Sequence, residues 1–455
     1  MTTETTFKLR PYQKEAILAL ESEWKKGIFN RLVVLLPTGM GKTVIFAHLI
    51  KSHRENGSNG KVVVIVHRDE LVQQAKEKIE SANPGVTVGI VKAAQNETEA
   101  PIIVASVQTL GRSEARRNAL TNVGLVIVDE CHHAAARSYM SSVEALGGFR
   151  AVQPTRVVGF TATLERNDDL GLGDMWQKVV YKKDIAYAIK NGFLVKPKTR
   201  TVVLSNLDMS SIRRTCGDYS GSSLGKAMHD ANAPQALAEA YKIHAGARQG
   251  VVFCPTVALA QEVAQAFSNA GIVNAIISGE TPKDEREMIY HRTRIGRIQV
   301  LVNVMVLTEG FDMPQLEVAV IARPTQSRAL YIQMVGRVLR LHPGKSEALV
   351  IDVVGASNGK NLASIEDLTK STDKARKEAD ENKSNSNGNS ETKISYMVSI
   401  SSRIIPHATI MKVTTTGNAR HEKRIGTAYG KTVESVKEKA DRIIRESILD
   451  ETLRK

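Results

Sequence analysis

Residues 32–46 read LVVLLPTGMGKTVIF: an apolar run, a turn punctuated by glycine, then the start of an amphipathic segment. Strand, turn and helix in that order form the context in which a phosphate-binding loop works. Gly39 and Gly41 let the backbone approach an anion closely, so that N–H groups and a helix N-terminus face it. Lys42 supplies positive charge to β- and γ-phosphates, and the Thr43 hydroxyl can ligate Mg²⁺. The general loop pattern asks for glycine six positions before the lysine, where this chain has Leu36. The variant Pro-Thr-Gly-x-Gly-Lys-Thr is matched completely by Pro37, Thr38, Gly39, Met40, Gly41, Lys42 and Thr43.

A second stretch, VIVDECHHA at 126–134, crowds acids, a cysteine and histidines together. Zinc ligands usually lie two to five residues apart, whereas Cys131, His132 and His133 are consecutive and no further Cys or His pair is near. A zinc site is therefore not expected. Apolar residues deliver Asp129 and Glu130 to the C-terminal end of a strand, where α/β proteins bind ligands. Asp129 is placed to hold Mg²⁺, and Glu130 to orient or deprotonate an attacking water. With the phosphate loop upstream, the pair reads as a nucleotide-hydrolysis site rather than an incidental strand end.

The chain has 455 residues, enough for two or three domains, and 42% hydrophobic with 24% charged residues suits a soluble globular protein. No apolar run approaches the ~20 residues needed to span a bilayer, and MTTETTFKLRPYQ carries no signal-peptide core. Cys131, Cys216 and Cys254 are isolated, so a reducing cytoplasm is expected and a disulfide framework is not. The net charge of +14 fits a polyanionic partner, most simply nucleic acid, although a merely basic protein would show it too.

Short β-branched runs at 32–36, 62–66, 102–105, 125–128 and 157–160 alternate with helical patterns, and the alternation resumes at 251–254, 274–278, 300–303, 318–322 and 348–352. This is an α/β chain with two successive doubly wound parallel sheets. The boundary is expected within 184–200, near NGFLVKPKTR, giving domains at 1–190 and 191–360. Residues 361–390 end polar and rich in Gly, Asn and Ser and read as a linker. Beyond them, SYMVSIS, TIMKVTTT and RHEKRIGTAY are expected as three strands and KTVESVKEKADRIIRESI as a helix, a small β3α (α+β) domain at 391–455.

Taken in order, these motifs resemble the superfamily-two helicases of the DEAD/DEAH kind over residues 7–355. LRPYQKEAI resembles the adenine-reading element, which makes Gln13 the base contact with Arg10 nearby. PTGMGKT and DECH stand as motifs I and II, VHRDELVQQ as Ia, SVQTL as Ib and TAT as III. VVFCPT, LTEGFDMP and QMVGRVLR follow as IV, V and VI. The resemblance implies tandem RecA-like domains using ATP and Mg²⁺. It casts Arg337 and Arg340 as arginine fingers, three residues apart and so expected on one face of the motif VI helix. It further implies that Gly310 and Asp312 complete the nucleotide side, and that Gln333 and His132 relay nucleotide state. Arg68, Ser106, Gln108, Thr109 and Thr256 become candidate strand contacts, although Thr256 could equally cap the helix that follows.

The chain departs from RNA-dependent DEAD-box proteins in having Val304 and Met305 where motif V usually carries Thr-Asp, and Gln-Met opening motif VI. These features look closer to DNA translocases of the RadD and XPB kind and to phage branch-migration helicases, without the zinc element of the former. Residues 391–455 hold thirteen Lys/Arg against eight Asp/Glu, with Arg420, Lys423 and Arg424 together in the third strand. The segment RIGTAYGKTVESVKEKADRI resembles β3α DNA-binding domains, so those three residues are candidate DNA contacts; a basic accessory domain is the alternative. The expected function is ATP-dependent movement on branched or partly duplex DNA, the alternatives being an RNA helicase and a clamp that binds DNA without translocating.

Overall fold

The computed structural model describes residues 9–57, 60–67, 69–133, 137–150, 152–162, 175–204, 206–215, 218–307, 312–355, 392–401, 407–416 and 419–429. The chain divides into two compact units, residues 1–371 and 372–455.

The first unit contains two parallel sheets. One is built from β1 (Arg31–Leu35), β2 (Lys61–Val66), β3 (Val88–Lys92), β4 (Gln95–Asn96), β5 (Ile102–Ser106), β6 (Val123–Asp129), β7 (Arg156–Thr161) and β8 (Lys178–Lys182). Its order is β4-β3-β5-β2-β6-β7-β1-β8, parallel except for the β3–β4 hairpin. Central strands such as β2 and β5 are Val- and Ile-rich and almost wholly buried, as expected where helices cover both faces. Registers pair Leu35 with Thr161 and Asp129 with Phe160, so β1, β6 and β7 end side by side on one edge.

After the helix Ile185–Lys190 the chain enters β9 (Lys196–Leu204), makes a small hairpin of β10 (Arg214–Thr215) and β11 (Asp218–Tyr219), and builds the second sheet. That sheet adds β12 (Gly250–Phe253), β13 (Asn274–Ile277), β14 (Val300–Asn303), β15 (Val318–Ile321) and β16 (Glu347–Gly355), in the order β13-β14-β12-β15-β16-β9. β9 runs parallel to β16 over nine residue pairs at the sheet's edge. Pro197 is tolerated there because an edge strand need not donate every N–H.

In the second unit β17 (Thr392–Ser401), β18 (His407–Thr416) and β19 (Ala419–Tyr429) form an antiparallel sheet, matching the three strands expected. The expected linker and the expected terminal helix lie outside the described residues. In β19, Arg420 pairs with Thr415, Lys423 with Lys412 and Arg424 with Met411.

Under the first sheet, His53 is buried against Gly124 and its Nε2 has no hydrogen-bond partner among the described residues. Burial, aided by Arg156, pushes its pKa down to about 4. A group whose folded pKa lies below its unfolded value stabilises the fold at high pH and loses that contribution as pH falls. Thermal midpoints should therefore drop between about pH 6.5 and pH 4, and His53→Leu should flatten that part of the profile. Parallel profiles for the two proteins would refute this.

Candidate functional site

The phosphate loop leaves β1 at Leu36, whose N–H donates to Thr161 O at 2.9 Å, and ends at Gly41, which caps the helix Lys42–Glu55. Gly41 has φ +70°, the left-handed region that favours glycine, and a Cβ there would displace Gln13 Nε2, 2.8 Å away. The loop's outer turn is pinned by the helix Pro11–Lys25: Tyr12 Oη and Gln13 Nε2 both donate to Met40 O, at 2.8 and 3.3 Å. Lys42 is buried, with Nζ 3.4 Å from Leu36 O and 3.4 Å from Glu130 Oε1.

Asp129 closes β6, and its Oδ1 accepts the Glu130 N–H at 3.0 Å. Glu130 is held at φ +47°, a left-handed conformation that costs a non-glycine residue roughly 1–3 kcal/mol and recurs at functional sites. That bend turns the chain into the short 3-10 turn Cys131–His133. His132 Nδ1 lies 2.9 Å from Thr161 Oγ1 and 3.4 Å from Glu130 Oε2, while its Nε2 is 3.5 Å from Gln333 Nε2 in the other lobe. Gln333 and His132 thus meet across the cleft.

The second lobe contributes the helix Arg328–Gly336, capped by Ser327 Oγ accepting from Leu330 N at 3.3 Å. The expectation of one helical face for both arginines is wrong. The helix stops at Gly336, Arg337 is its C-cap and Arg340 lies in the turn beyond. The turn, rather than helical spacing, brings both into the cleft. Arg340 lies across the phosphate loop: a Cβ at Gly39, which has φ +89°, would come 3.2 Å from Arg340 Cγ and 3.0 Å from Leu194 Cδ2. Asp312 lines the cleft, and its carboxylate pairs with Arg340, with Lys78 Nζ 4.0 Å away.

These groups enclose one cavity of about 570 Å³, a size that suits a nucleotide. Its lining includes five cations, Arg10, Lys42, Lys78, Arg337 and Arg340, against the three carboxylates Asp129, Glu130 and Asp312, an excess suited to a polyanion. The shielded Thr38 Oγ1 and Arg340 Nε have no hydrogen-bond partner among the described residues, as expected of groups arranged for a ligand. At the opposite end, Phe193 packs against Tyr12 with ring centroids 4.7 Å apart, and the Arg10 guanidinium lies 5.3 Å over its ring. Sequence reasoning missed Phe193, because an isolated aromatic in a Gly- and Pro-rich connector has no periodic or motif signal. Tyr12 could have been found beside Gln13.

Of the candidate strand contacts, Gln108 is exposed and Thr109 half-buried. Ser106 has no exposed surface and donates to Gln108 Oε1 at 2.8 Å, so in this structure it orients Gln108 rather than reaching outward. Thr109 Oγ1 accepts from Ala93 N at 3.3 Å, and Thr256 Oγ1 caps the helix Val257–Asn269 by accepting from Leu259 N at 3.2 Å. Arg68 and Gly310 lie outside the described residues.

Residues 6–166 match the family model of the type III restriction enzyme res subunit, and residues 233–342 match that of the helicase conserved C-terminal domain. The chain belongs to the superfamily-two helicases. This superfamily-two chain is 34% identical to the putative ATP-dependent helicase IRC3 of Saccharomyces cerevisiae, over 77% of its own length and 52% of that protein's. It is 24% identical to the DNA 3′-5′ translocase XPB2 of Sulfurisphaera tokodaii, over 76% of its length and 81% of that protein's. Among solved structures, a putative HsdR subunit fragment of a type I restriction enzyme from Vibrio vulnificus shares the fold. It aligns with TM-score 0.59 and 22% identity, covering 79% of this chain and 66% of that one. The helicase chain spans about half the length of the yeast relatives it matches.

Proposed function

We propose that this helicase chain is an ATP-dependent motor on DNA, acting on branched or partly duplex substrates. The observation that carries the reading is convergence: Lys42 and Glu130 from one lobe meet Arg337 and Arg340 from the other around a single cavity. Lys42 draws the terminal phosphates, Glu130 takes up the attacking water's proton or orients it, and the arginines stabilise charge on the transferred phosphoryl group. Thr43 and Asp129 both line the cavity and form an oxygen donor set of the kind Mg²⁺ takes. When bound, the ion would neutralise phosphate charge. Because fingers and phosphate loop belong to different lobes, turnover is tied to lobe closure, the step that moves a strand.

DNA is preferred over RNA because Val304 and Met305 replace the Thr-Asp pair usual in RNA-dependent relatives, and because a relative 24% identical to this chain is named a DNA translocase. The sheet Thr392–Tyr429 is assigned to duplex binding, and deleting residues 391–455 should weaken junction binding and lessen its salt dependence. The deciding experiment is steady-state ATP hydrolysis at fixed Mg²⁺ and salt with no nucleic acid, single-stranded DNA, a four-way DNA junction or RNA. Stimulation greatest on the junction supports the reading; stimulation by RNA alone overturns the substrate.

Phe193 with Tyr12 and Arg10 is assigned to the base end of the nucleotide. Phe193→Ala should raise the ATP KM about tenfold, the equivalent of one aromatic contact of ~1.5 kcal/mol, and should shrink the preference for ATP over GTP. An unchanged KM would remove Phe193 from the site.

A further inference from the structure

Lys345 is a buried lysine that no motif explains. It follows a tight turn in which its own N–H donates to His342 O at 3.0 Å, with Pro343 and Gly344 at the centre and Gly344 at φ +80°. Its ammonium donates to Pro314 O at 2.9 Å and to Leu316 O at 2.5 Å, while its side chain is almost wholly buried. Those two carbonyls belong to the turn Met313–Leu316, just after Asp312, in which Leu316 N donates to Met313 O at 3.2 Å. Asp312 is also the ion-pair partner of Arg340, five residues before Lys345. Two segments, 312–316 and 340–345, are therefore joined twice: by Arg340 and Asp312 at the cleft, and by Lys345 and two backbone carbonyls beneath it.

We propose that Lys345 is a positioning residue for nucleotide hydrolysis, clasping these two segments so that Arg340 is held across the phosphate loop. Lys345 does not itself line the cavity and acts through Pro314, which does, and Leu316. Burial is the main cause that pushes its pKa down, to about 8, with Glu317 opposing and Arg340 reinforcing the shift. Losing the charge weakens two charge-assisted hydrogen bonds. The clasp is therefore firm below about pH 8 and slackens above it.

This inference rests on the hydrolysis reading of the cleft, and the experiment separates the two. Full-length protein and Lys345→Met, which keeps the length of the buried stem, are compared for kcat, KM and the pH dependence of kcat. Binding of a fluorescent ATP analogue and the thermal midpoint are measured alongside. The expected result is a kcat lower on the order of a hundredfold, the effect of a displacement near 1 Å, with KM and analogue affinity nearly unchanged. The wild-type kcat should fall as pH rises through about 8, and that alkaline limb should vanish in Lys345→Met. A variant that keeps both kcat and the limb overturns the inference. If Lys345→Met does not fold, a wild-type kcat flat from pH 7 to 9.5 overturns it as well. No hydrolysis by the wild-type chain under any condition would instead overturn the reading of the cleft, and this inference with it.

Discussion

Arg337→Ala is expected to slow ATP turnover by a thousandfold or more, on the order of what an arginine finger contributes, while the ATP KM changes little. Arg337 is only 5% exposed and caps the helix Arg328–Gly336 at the cavity wall. In the proposed finger role its guanidinium would gain most when charge builds on the phosphoryl oxygens, so its removal should strike the transition state and leave ground-state binding mostly intact. Arg337→Lys should restore little, because a point charge on a flexible stem does not reproduce the planar fork. Arg340→Ala should cost less than Arg337→Ala, since Arg340 already spends part of its charge on Asp312. Single-turnover and steady-state hydrolysis, measured together, check both statements. Equal losses in kcat and in ATP affinity would show that Arg337 is a binding residue instead.

Lys42→Ala should abolish measurable turnover and leave binding to a DNA junction close to the wild-type value. The ammonium is the buried cation next to Glu130, 3.4 Å away, and it faces the same cavity as Thr43 and Asp129. Without it the phosphate loop loses its buried positive charge, and Glu130 loses its ion-pair partner. Junction affinity by fluorescence anisotropy and hydrolysis by phosphate release form the two arms. A variant that still unwinds or migrates a branch would sink the motor reading, because strand movement would then not depend on hydrolysis. A variant that loses DNA binding along with turnover would mean that Lys42 also supports the fold of the strand-binding surface.

Most of the first sheet was legible because buried parallel strands are continuous β-branched runs, as in KVVVIV of β2. Across the two sheets three longer strands were not, each for a physical reason, and the two-residue strands β4, β10 and β11 are too short to carry a pattern. β3, VGIVK, is interrupted by Gly89, which the close approach of Glu97 O requires. β8 is a half-buried edge strand flanked by lysines, and β9, KPKTRTVVL, is an edge strand whose proline and alternating charges look like a chain break. In the site, the loop, the acidic pair and the arginines were legible because their chemistry dictates residue types at short spacing. What was not legible depends on the fold: the left-handed bend at Glu130, the turn carrying Arg340 past the helix end, and Phe193, which reaches the cavity from the connector between the lobes.

That connector has a consequence for the timing of the cycle. Phe193 lines the cavity beside Tyr12, and two residues later the Val195 N–H donates to Leu339 O at 2.9 Å, next to Arg340. On the proposed reading, ATP and ADP share the base, so loss of the terminal phosphate would free the arginines while the base still held the strap that joins the lobes. The cleft would then unfasten from the phosphate end first and the base end last. If that order holds, weakening the base end by Phe193→Ala should speed departure of the spent nucleotide, which stopped-flow release of a fluorescent ADP analogue would check.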